Sequence, residues 1–452
     1  MSKPQKIVVI GCSGAGALAA RMLKKLSPLL DVTIIREQEE KGLLTRCATP
    51  YVATGNVTVN ASYKDDKIFT DQKINLVNVK AVEIDKISKK VTTADGMSYS
   101  YDKLVLATGA TPVMFPIPGA DLSGIFTLRT SGDAVNIFNW INSRRVKNAV
   151  LIGAGAIGLE IAYLTAQHGL KVTIIEKMEN VMPSILDVDM SENLEKYIVE
   201  EGVNLKCGQM VESITGEKEV QSIELSSGES IKTEMVIVSG GVRPNTNLAQ
   251  NAGLEIGEFG LKVDEYLQTS DPDIYAAGDL IEYKDFVTGK PSAGRLRPNA
   301  VIGGRLIAKN ILGYKLKYPA FINSFATKFF DKSIAGAGIT ESHATESGIE
   351  TIVTQQNSIS KHSMIKGRKP YTVKLIFDKE SKKVIGGQIV SDDSSPVKHI
   401  DVIALAIRNE MTALDLTTIR CAGQPELSPD PGIEPISLAA ESAFQKLYIN
   451  KS

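Results

Sequence analysis

Three features of the chain carry the residue types for joint chemistry: one thiol and two glycine-rich turns. The turns are Gly11-Cys12-Ser13-Gly14-Ala15-Gly16 and Gly153-Ala154-Gly155-Ala156-Ile157-Gly158. Each follows an apolar strand-like run, Ile7-Val8-Val9-Ile10 or Ala149-Val150-Leu151-Ile152, and leads into a stretch rich in Ala and Leu that reads as a helix. Glycine is required in such a turn because backbone N–H groups and the positive end of the helix must come close to a pyrophosphate. Cys47 lies between the two turns. Two dinucleotide sites and a thiol in one chain imply electron transfer from one cofactor to the other and on to sulfur.

Cys47 follows Arg46 and precedes Ala48-Thr49-Pro50, where a helix can begin. A helix N-terminus and a neighbouring cation both favour the thiolate, the form that attacks disulfides or polysulfide. No second cysteine lies four or five residues away, so a local redox disulfide is excluded. The expected cycle runs through a mixed disulfide, a persulfide or a sulfenic acid. Cys12, Cys207 and Cys421 are widely spaced and form no metal-type pair, so neither a disulfide framework nor a zinc site is expected. Cys12 and Cys207 read as small apolar packing residues.

The elements that must position these groups form a repeating pattern. After the first turn and helix comes the strand Val32-Thr33-Ile34-Ile35, ending in Arg36-Glu37. A carboxylate at that end is placed to accept hydrogen bonds from ribose hydroxyls, and Glu37 is the candidate, with Arg36 leaving the register open by one residue. A buried strand, Lys103-Leu104-Val105-Leu106, stops at Ala107-Thr108-Gly109, and the proline-rich stretch from Pro112 to Gly119 reads as a domain crossing. The second unit repeats strand, turn and helix, then ends its next strand, Val172-Thr173-Ile174-Ile175, in Glu176. It closes with Met235-Val236-Ile237-Val238-Ser239-Gly240-Gly241, echoing the strand before Gly109. A further apolar strand, Ile274-Tyr275-Ala276-Ala277, precedes Gly278-Asp279, and a helical stretch spans about 300–312. Beyond about 325 the pattern changes to alternating strands with helices near 397–409 and 434–447, which reads as a separate α+β domain that makes an interface. The expected divisions are 1–119 and 244–324 for the first unit, 120–243 for the second and 325–452 for the last.

Composition removes other classes of function. Lys plus Arg total 51 against 52 Asp plus Glu, so no positive field favours nucleic acid or an anionic membrane surface. The start of the chain lacks the pattern of a signal peptide, and no apolar run is long enough to span a bilayer. A cytoplasmic protein is expected.

The glycine turns, the Ala107-Thr108-Gly109 strand end, Glu160 just beyond the second turn, Gly240-Gly241-Val242-Arg243-Pro244-Asn245-Thr246 and Tyr275-Ala276-Ala277-Gly278-Asp279 occur in one order along the chain. In this the chain resembles the FAD-dependent pyridine nucleotide–disulfide oxidoreductases. Cys47-Ala48-Thr49-Pro50-Tyr51 is similar to the single-cysteine branch, which holds coenzyme A disulfide reductases, NAD(P)H sulfur or persulfide reductases, NADH oxidases and NADH peroxidases. The resemblance implies an α/β fold of two Rossmann-like nucleotide-binding domains plus a C-terminal α+β dimerisation domain. It implies FAD on Gly11, Ser13, Gly14, Ala15, Gly16, Glu37, Arg46, Ala107, Thr108 and Gly109, with Asp279 reaching the ribityl hydroxyls. NADH, or alternatively NADPH, would lie on Gly153, Gly155, Ala156, Ile157, Gly158, Glu160, Glu176 and Gly241. Glu176 favours the free 2′-hydroxyl of NADH, whereas the adjacent Lys177 is able to accommodate the phosphate of NADPH. Cys47 would then touch the flavin ring opposite the docked nicotinamide, and a homodimer would complete the active site.

The chain departs from that pattern at several positions. Gly14 occupies the place where peroxidases and water-forming oxidases carry a histidine proton donor, Ser13 replaces a glycine, and Ala156 replaces an aromatic residue that covers the flavin. In the segment Cys421-Ala422-Gly423-Gln424-Pro425-Glu426, Gln424 stands where disulfide reductases carry a catalytic histidine. Glutamine orients a substrate but does not shuttle a proton at neutral pH. Cys421 is either a relay to the partner subunit or a packing residue, and Glu426 is a candidate substitute base. The tyrosines expected near Met364-Ile365 are missing, which leaves coenzyme A specificity open. His168, His343, His362 and His399 have no motif partner and read as structural or solvated. The leading expectation is electron flow from NADH through flavin to Cys47 and on to a disulfide, persulfide or polysulfide such as coenzyme A disulfide. The alternatives are an NADH oxidase and an electron-transfer or redox-sensing flavoprotein with a protein partner.

Overall fold

Short runs of Val, Ile and Leu that are buried on both faces require a parallel sheet with helices packed on each side, and this chain builds two such sheets. A computed structural model describes residues 4–37, 42–420 and 422–449. In the first sheet Lys6–Ile10 is central. Asp31–Ile35 and then Asn75–Val77 lie to one side, Lys103–Leu106 and then Ile274–Ala276 to the other, and all pairings are parallel. Helix α1 (Gly14–Leu26) leaves the central strand through the first glycine turn. It packs against the helix Arg297–Ile311 so closely that a Cβ on Gly304 would lie 2.3 Å from the carbonyl oxygen of Ala15. A 3-10 turn, Arg46–Ala48, runs directly into the short helix α2 (Thr49–Ala53).

The second sheet repeats this order. Asn148–Ile152 is central, with Lys171–Ile175 and Asn204–Lys206 to one side and Met235–Val238 and Ile125–Thr127 to the other. Helix α3 (Ala156–Gln167) leaves its central strand, and α4 (Val188–Glu200) follows the next one. Each unit also carries a three-stranded antiparallel meander, Ala81–Ser100 in the first and Val211–Lys232 in the second. The chain crosses between the units on two short antiparallel strands, Ala110–Pro112 and Val242–Pro244.

The last unit is a five-stranded antiparallel sheet in the order Phe325–Phe329, Lys332–Gly338, Val384–Ser391, Pro370–Asp378, Thr351–Ile359. The helices Ile400–Arg408 and Pro435–Phe444 share its hydrophobic core. A polar cluster ties this unit to the second one. Lys374, 1% exposed, reaches Asp189 at 2.7 Å and Asp187 and Glu341 at 3.2 Å, while the Gln388 amide donates to Asp187 at 2.6 Å. Burial alone would lower the Lys374 ammonium, but the carboxylates outweigh it and hold the pKa above its ordinary value. Among the described residues no helix is long and apolar enough to cross a membrane.

Candidate active site

The two glycine turns are sterically enforced. Gly11 has φ +104°, and a Cβ there would lie 2.1 Å from the carbonyl oxygen of Ala107; one on Gly16 would lie 2.1 Å from the carbonyl oxygen of Gly11. Gly153 has φ +106°, and a Cβ on Gly158 would lie 2.0 Å from the carbonyl oxygen of Gly153. Side chains at these places would push the helix off its strand. Ser13 is the N-cap residue of α1 but makes no side-chain cap, so Gly14, Ala15 and Gly16 open a helix whose first N–H groups have no acceptor within it. Gly155 caps α3 in the same way, with open space where its side chain would be and with Ala156 and the half-exposed Ile157 next in line. Both helix starts can receive a phosphate.

The strand ends differ between the copies. Gly11 N–H donates to Ile35 and Gly153 N–H donates to Ile175, both at 2.8 Å, so Arg36 in the first unit corresponds to Glu176 in the second. Glu176 is held in place: its carboxylate accepts the N–H of Ala154 at 2.7 Å and of Met178 at 2.9 Å. Arg36 is buried and turns to Asp66, at 2.9 and 2.5 Å, and to Asn78 at 2.7 Å. Glu37, the ribose candidate, is exposed and pairs with Lys80 at 3.2 Å. Two motifs that stand far apart in sequence meet at the crossing. The Thr108 hydroxyl donates to the Asn245 carbonyl and the Asn245 amide donates to the Thr108 carbonyl, both at 3.0 Å, between Gly109 at φ +70° and Gly241 at φ +92°.

Asp279 meets a partner that no motif revealed, Arg129, at 2.6 Å. The carbonyl of Arg129 accepts from Arg46 at 2.9 Å, and Arg46 reaches the Ser13 hydroxyl at 3.4 Å, so Asp279, Arg46 and the first turn form one connected group. Arg295 adds a second guanidinium. It donates to the carbonyls of Val242 at 2.7 Å and Phe259 at 3.0 Å, while its Nε is buried with no hydrogen-bond partner among the described residues. Burial lowers its pKa, and the Asp279 charge opposes that shift. An orphaned buried donor close enough to Asp279 to feel its charge, in a unit that also holds a glycine cradle and an open helix start, fits the FAD implied by the sequence.

Cys47 is an exposed free thiol on the 3-10 turn, and the Thr49 hydroxyl stabilises that turn by donating to the Arg46 carbonyl at 2.8 Å. Four residues on, the Tyr51 hydroxyl lies 3.4 Å from that of Tyr163 on α3. Glu160 on the same helix lies near enough to feel Tyr51: burial raises the Glu160 carboxyl above its ordinary range and the phenol offsets part of that shift. The hydrogen bond with Tyr163, followed by burial, raises the Tyr51 phenol in turn. The structure thus brings the thiol segment and Glu160 together through a tyrosine, although distance along the sequence gave no sign of it. By contrast, burial pushes the Cys207 thiol up to about 12, which leaves it inert.

The remaining candidates are on an exposed turn of the last unit. The Gln424 carbonyl accepts from Leu427 at 2.8 Å and Ser428 at 2.9 Å, and Glu426 pairs with Lys361 at 3.1 Å. Cys421 lies outside the described residues.

The profile of the pyridine nucleotide-disulphide oxidoreductases matches residues 5–302, and that of their dimerisation domain matches residues 324–431. The chain belongs to this family. As an FAD-dependent NAD(P)H oxidoreductase it shares the family's two nucleotide-binding units and its dimerisation domain. An NADH oxidase of Methanocaldococcus jannaschii is 34% identical over 98% of this chain and 99% of its own length. An NAD(P)H coenzyme A polysulfide/persulfide reductase of Pyrococcus horikoshii is 32% identical over 94% and 96%. Among solved structures, the NAD-dependent persulfide reductase from A. fulgidus superposes with a TM-score of 0.92 at 33% identity, covering 98% of this chain and 83% of that one.

Proposed function

We propose that this oxidoreductase passes electrons from NADH to Cys47 and on to a disulfide, persulfide or polysulfide, as a homodimer in the cytoplasm. The observation that carries this reading is the exposed, free Cys47 at the start of a segment whose Tyr51 hydroxyl meets Tyr163 on the helix of the second nucleotide unit. Bound FAD supplies a two-electron relay between reduced nicotinamide and sulfur. Ser13, Gly14, Ala15 and Gly16 would present backbone N–H groups to its pyrophosphate, with Gly11 giving the backbone room for that approach, Arg46, Asp279, Ala107, Thr108 and Gly109 around the rest of it and Glu37 at the ribose end. Gly155, Ala156, Ile157 and Gly158 would do the same for the nicotinamide nucleotide, with Gly153 making room in the turn and Gly241 beside it. The fixed Glu176 carboxylate accepts from a free 2′-hydroxyl and repels a 2′-phosphate, which favours NADH. Cys47 attacks one sulfur of the substrate's S–S bond as thiolate, forming a mixed disulfide and expelling the other sulfur as a thiolate or hydrosulfide; two electrons that originate in NADH then cleave the mixed disulfide, releasing the second reduced sulfur and restoring the Cys47 thiolate. Gln424 and Glu426 of the partner subunit orient the substrate. Free thiols at Cys47 and Cys207 suit a reducing compartment.

Oxygen reduction is the second reading, favoured by the NADH oxidase name of the Methanocaldococcus relative. One experiment separates the two. With NADH in excess, thiol or sulfide release from coenzyme A disulfide and polysulfide is measured without air, and oxygen uptake is measured with air. The proposal expects sulfur turnover to exceed oxygen uptake; the reverse order overturns it.

A further inference from the structure

The hairpin of the last unit that faces α3 is closed by a residue poorly suited to its backbone. Phe325–Phe329 and Lys332–Gly338 are joined by Phe330 and Asp331 alone, and Phe330 has φ +46°. Two-residue hairpin turns favour Asn or Gly at such angles, and a bulky aromatic residue there is an outlier. Strain of this kind persists where surrounding contacts impose it. Here the contacts are rings. Phe330 lies 5.8 Å from Tyr163 and 5.1 Å from Phe329 between centroids, and the fully buried Phe329 lies 6.2 Å from Tyr163. Tyr163, 8% exposed, holds the Tyr51 hydroxyl at 3.4 Å. Glu160 and Tyr163 are three residues apart on α3 and so share a face. A continuous line of contacts therefore runs from the hairpin tip through Tyr163 to Tyr51, in the helix that follows Cys47.

We propose that Phe330 is a positioning residue: the dimerisation domain's hairpin holds Tyr163, and through it Tyr51, so that the thiol segment keeps a fixed place against the nicotinamide-binding helix. This rests on the reading of Cys47 as the group that reduces sulfur. The strained turn is retained because a Gly or Asn there would close the hairpin without reaching Tyr163.

The test uses the full-length holoenzyme in three variants. Phe330→Gly suits the backbone and removes the ring. Tyr163→Phe keeps the ring and removes the hydroxyl. Phe330→Tyr keeps the packing. Three quantities are read: the pH profile of Cys47 alkylation by iodoacetamide, kcat with coenzyme A disulfide, and KM for NADH. Phe330→Gly and Tyr163→Phe are expected to shift the alkylation profile and lower kcat about tenfold, as small misplacements of a reacting group do, with KM for NADH nearly unchanged. Phe330→Tyr restores wild-type behaviour, and Asp331→Gly in the same turn has no effect. Wild-type profiles and kcat in Phe330→Gly and Tyr163→Phe overturn the proposal, as does an equal loss in Asp331→Gly. Should the sulfur-reductase reading itself fail, Cys47→Ser keeps full turnover, whereas the alkylation profile still reports whether Phe330 positions the thiol.

Discussion

The two nucleotide units share a strand order and a turn, yet complete their sheets from opposite directions along the chain. The second unit takes its fifth strand, Ile125–Thr127, from residues before its glycine turn; the first takes Ile274–Ala276 from residues after the whole second unit. The first sheet is therefore finished only when the chain has returned through the crossing at Val242–Pro244. The late return also delivers Asp279 and Arg295 next to Arg129, which follows the second unit's fifth strand. The copies differ again at the strand end, where the Glu176 carboxylate accepts from the N–H groups of Ala154 and Met178 while Arg36 is committed to Asp66 and Asn78. The same strand order thus carries a different charge at the strand end and is completed from a different part of the chain.

The largest effects are expected at the two glycine turns. Gly16→Val is expected to yield colourless protein that has lost FAD, whereas Gly158→Val yields yellow protein that NADH no longer bleaches. The added side chains would enter carbonyl oxygens about 2 Å away, an overpacking cost of roughly 1–3 kcal/mol or more. Absorbance at the flavin band checks both, and equal loss of colour in the two variants would show that the units are not assigned separately.

Next in size is Arg36→Met. It leaves Asp66 without its bidentate partner and is expected to destabilise the chain by about 3 kcal/mol, read from the urea midpoint. Glu176→Arg alters specificity instead. It is expected to shift the NADPH to NADH ratio of kcat/KM upward by about tenfold, the worth of a charge-assisted hydrogen bond to phosphate.

The smallest effect concerns Glu160. Its pKa in the folded chain lies above the unfolded value of about 4.3, so the folded state binds its proton more tightly. The stability it contributes is full below the unfolded pKa and is lost as pH rises through the raised value. Glu160→Gln is expected to flatten that part of the urea-midpoint profile; an unchanged slope would place the carboxyl in a solvated setting.

Much of this architecture is legible in the sequence, because glycine spacing and apolar runs report backbone geometry directly. The alternating strands expected beyond about 325 form the five-stranded antiparallel sheet, and the helix expected near 300–312 runs from Arg297 to Ile311. Illegible were the groups placed by long-range packing. Arg129 precedes an ordinary helix cap, and nothing local marks it as the partner of Asp279. Lys374 sits in an alternating strand where a lysine reads as solvent-facing, yet three carboxylates from distant segments enclose it. Tyr51 was visible in its motif, but its contact with Tyr163 depends on how α2 meets α3. The positive φ of Phe330 contradicts what its residue type predicts, because tertiary contacts decide it.

In the proposed reaction electrons leave through the sulfur at position 47. The most direct measurement compares Cys47→Ser with wild type in anaerobic stopped flow, following flavin bleaching by NADH and then thiol release from coenzyme A disulfide or polysulfide. Bleaching is expected at the wild-type rate, with thiol or sulfide release slower by at least about a hundredfold, as for loss of a nucleophile. Thiol release at the wild-type rate from Cys47→Ser would contradict it.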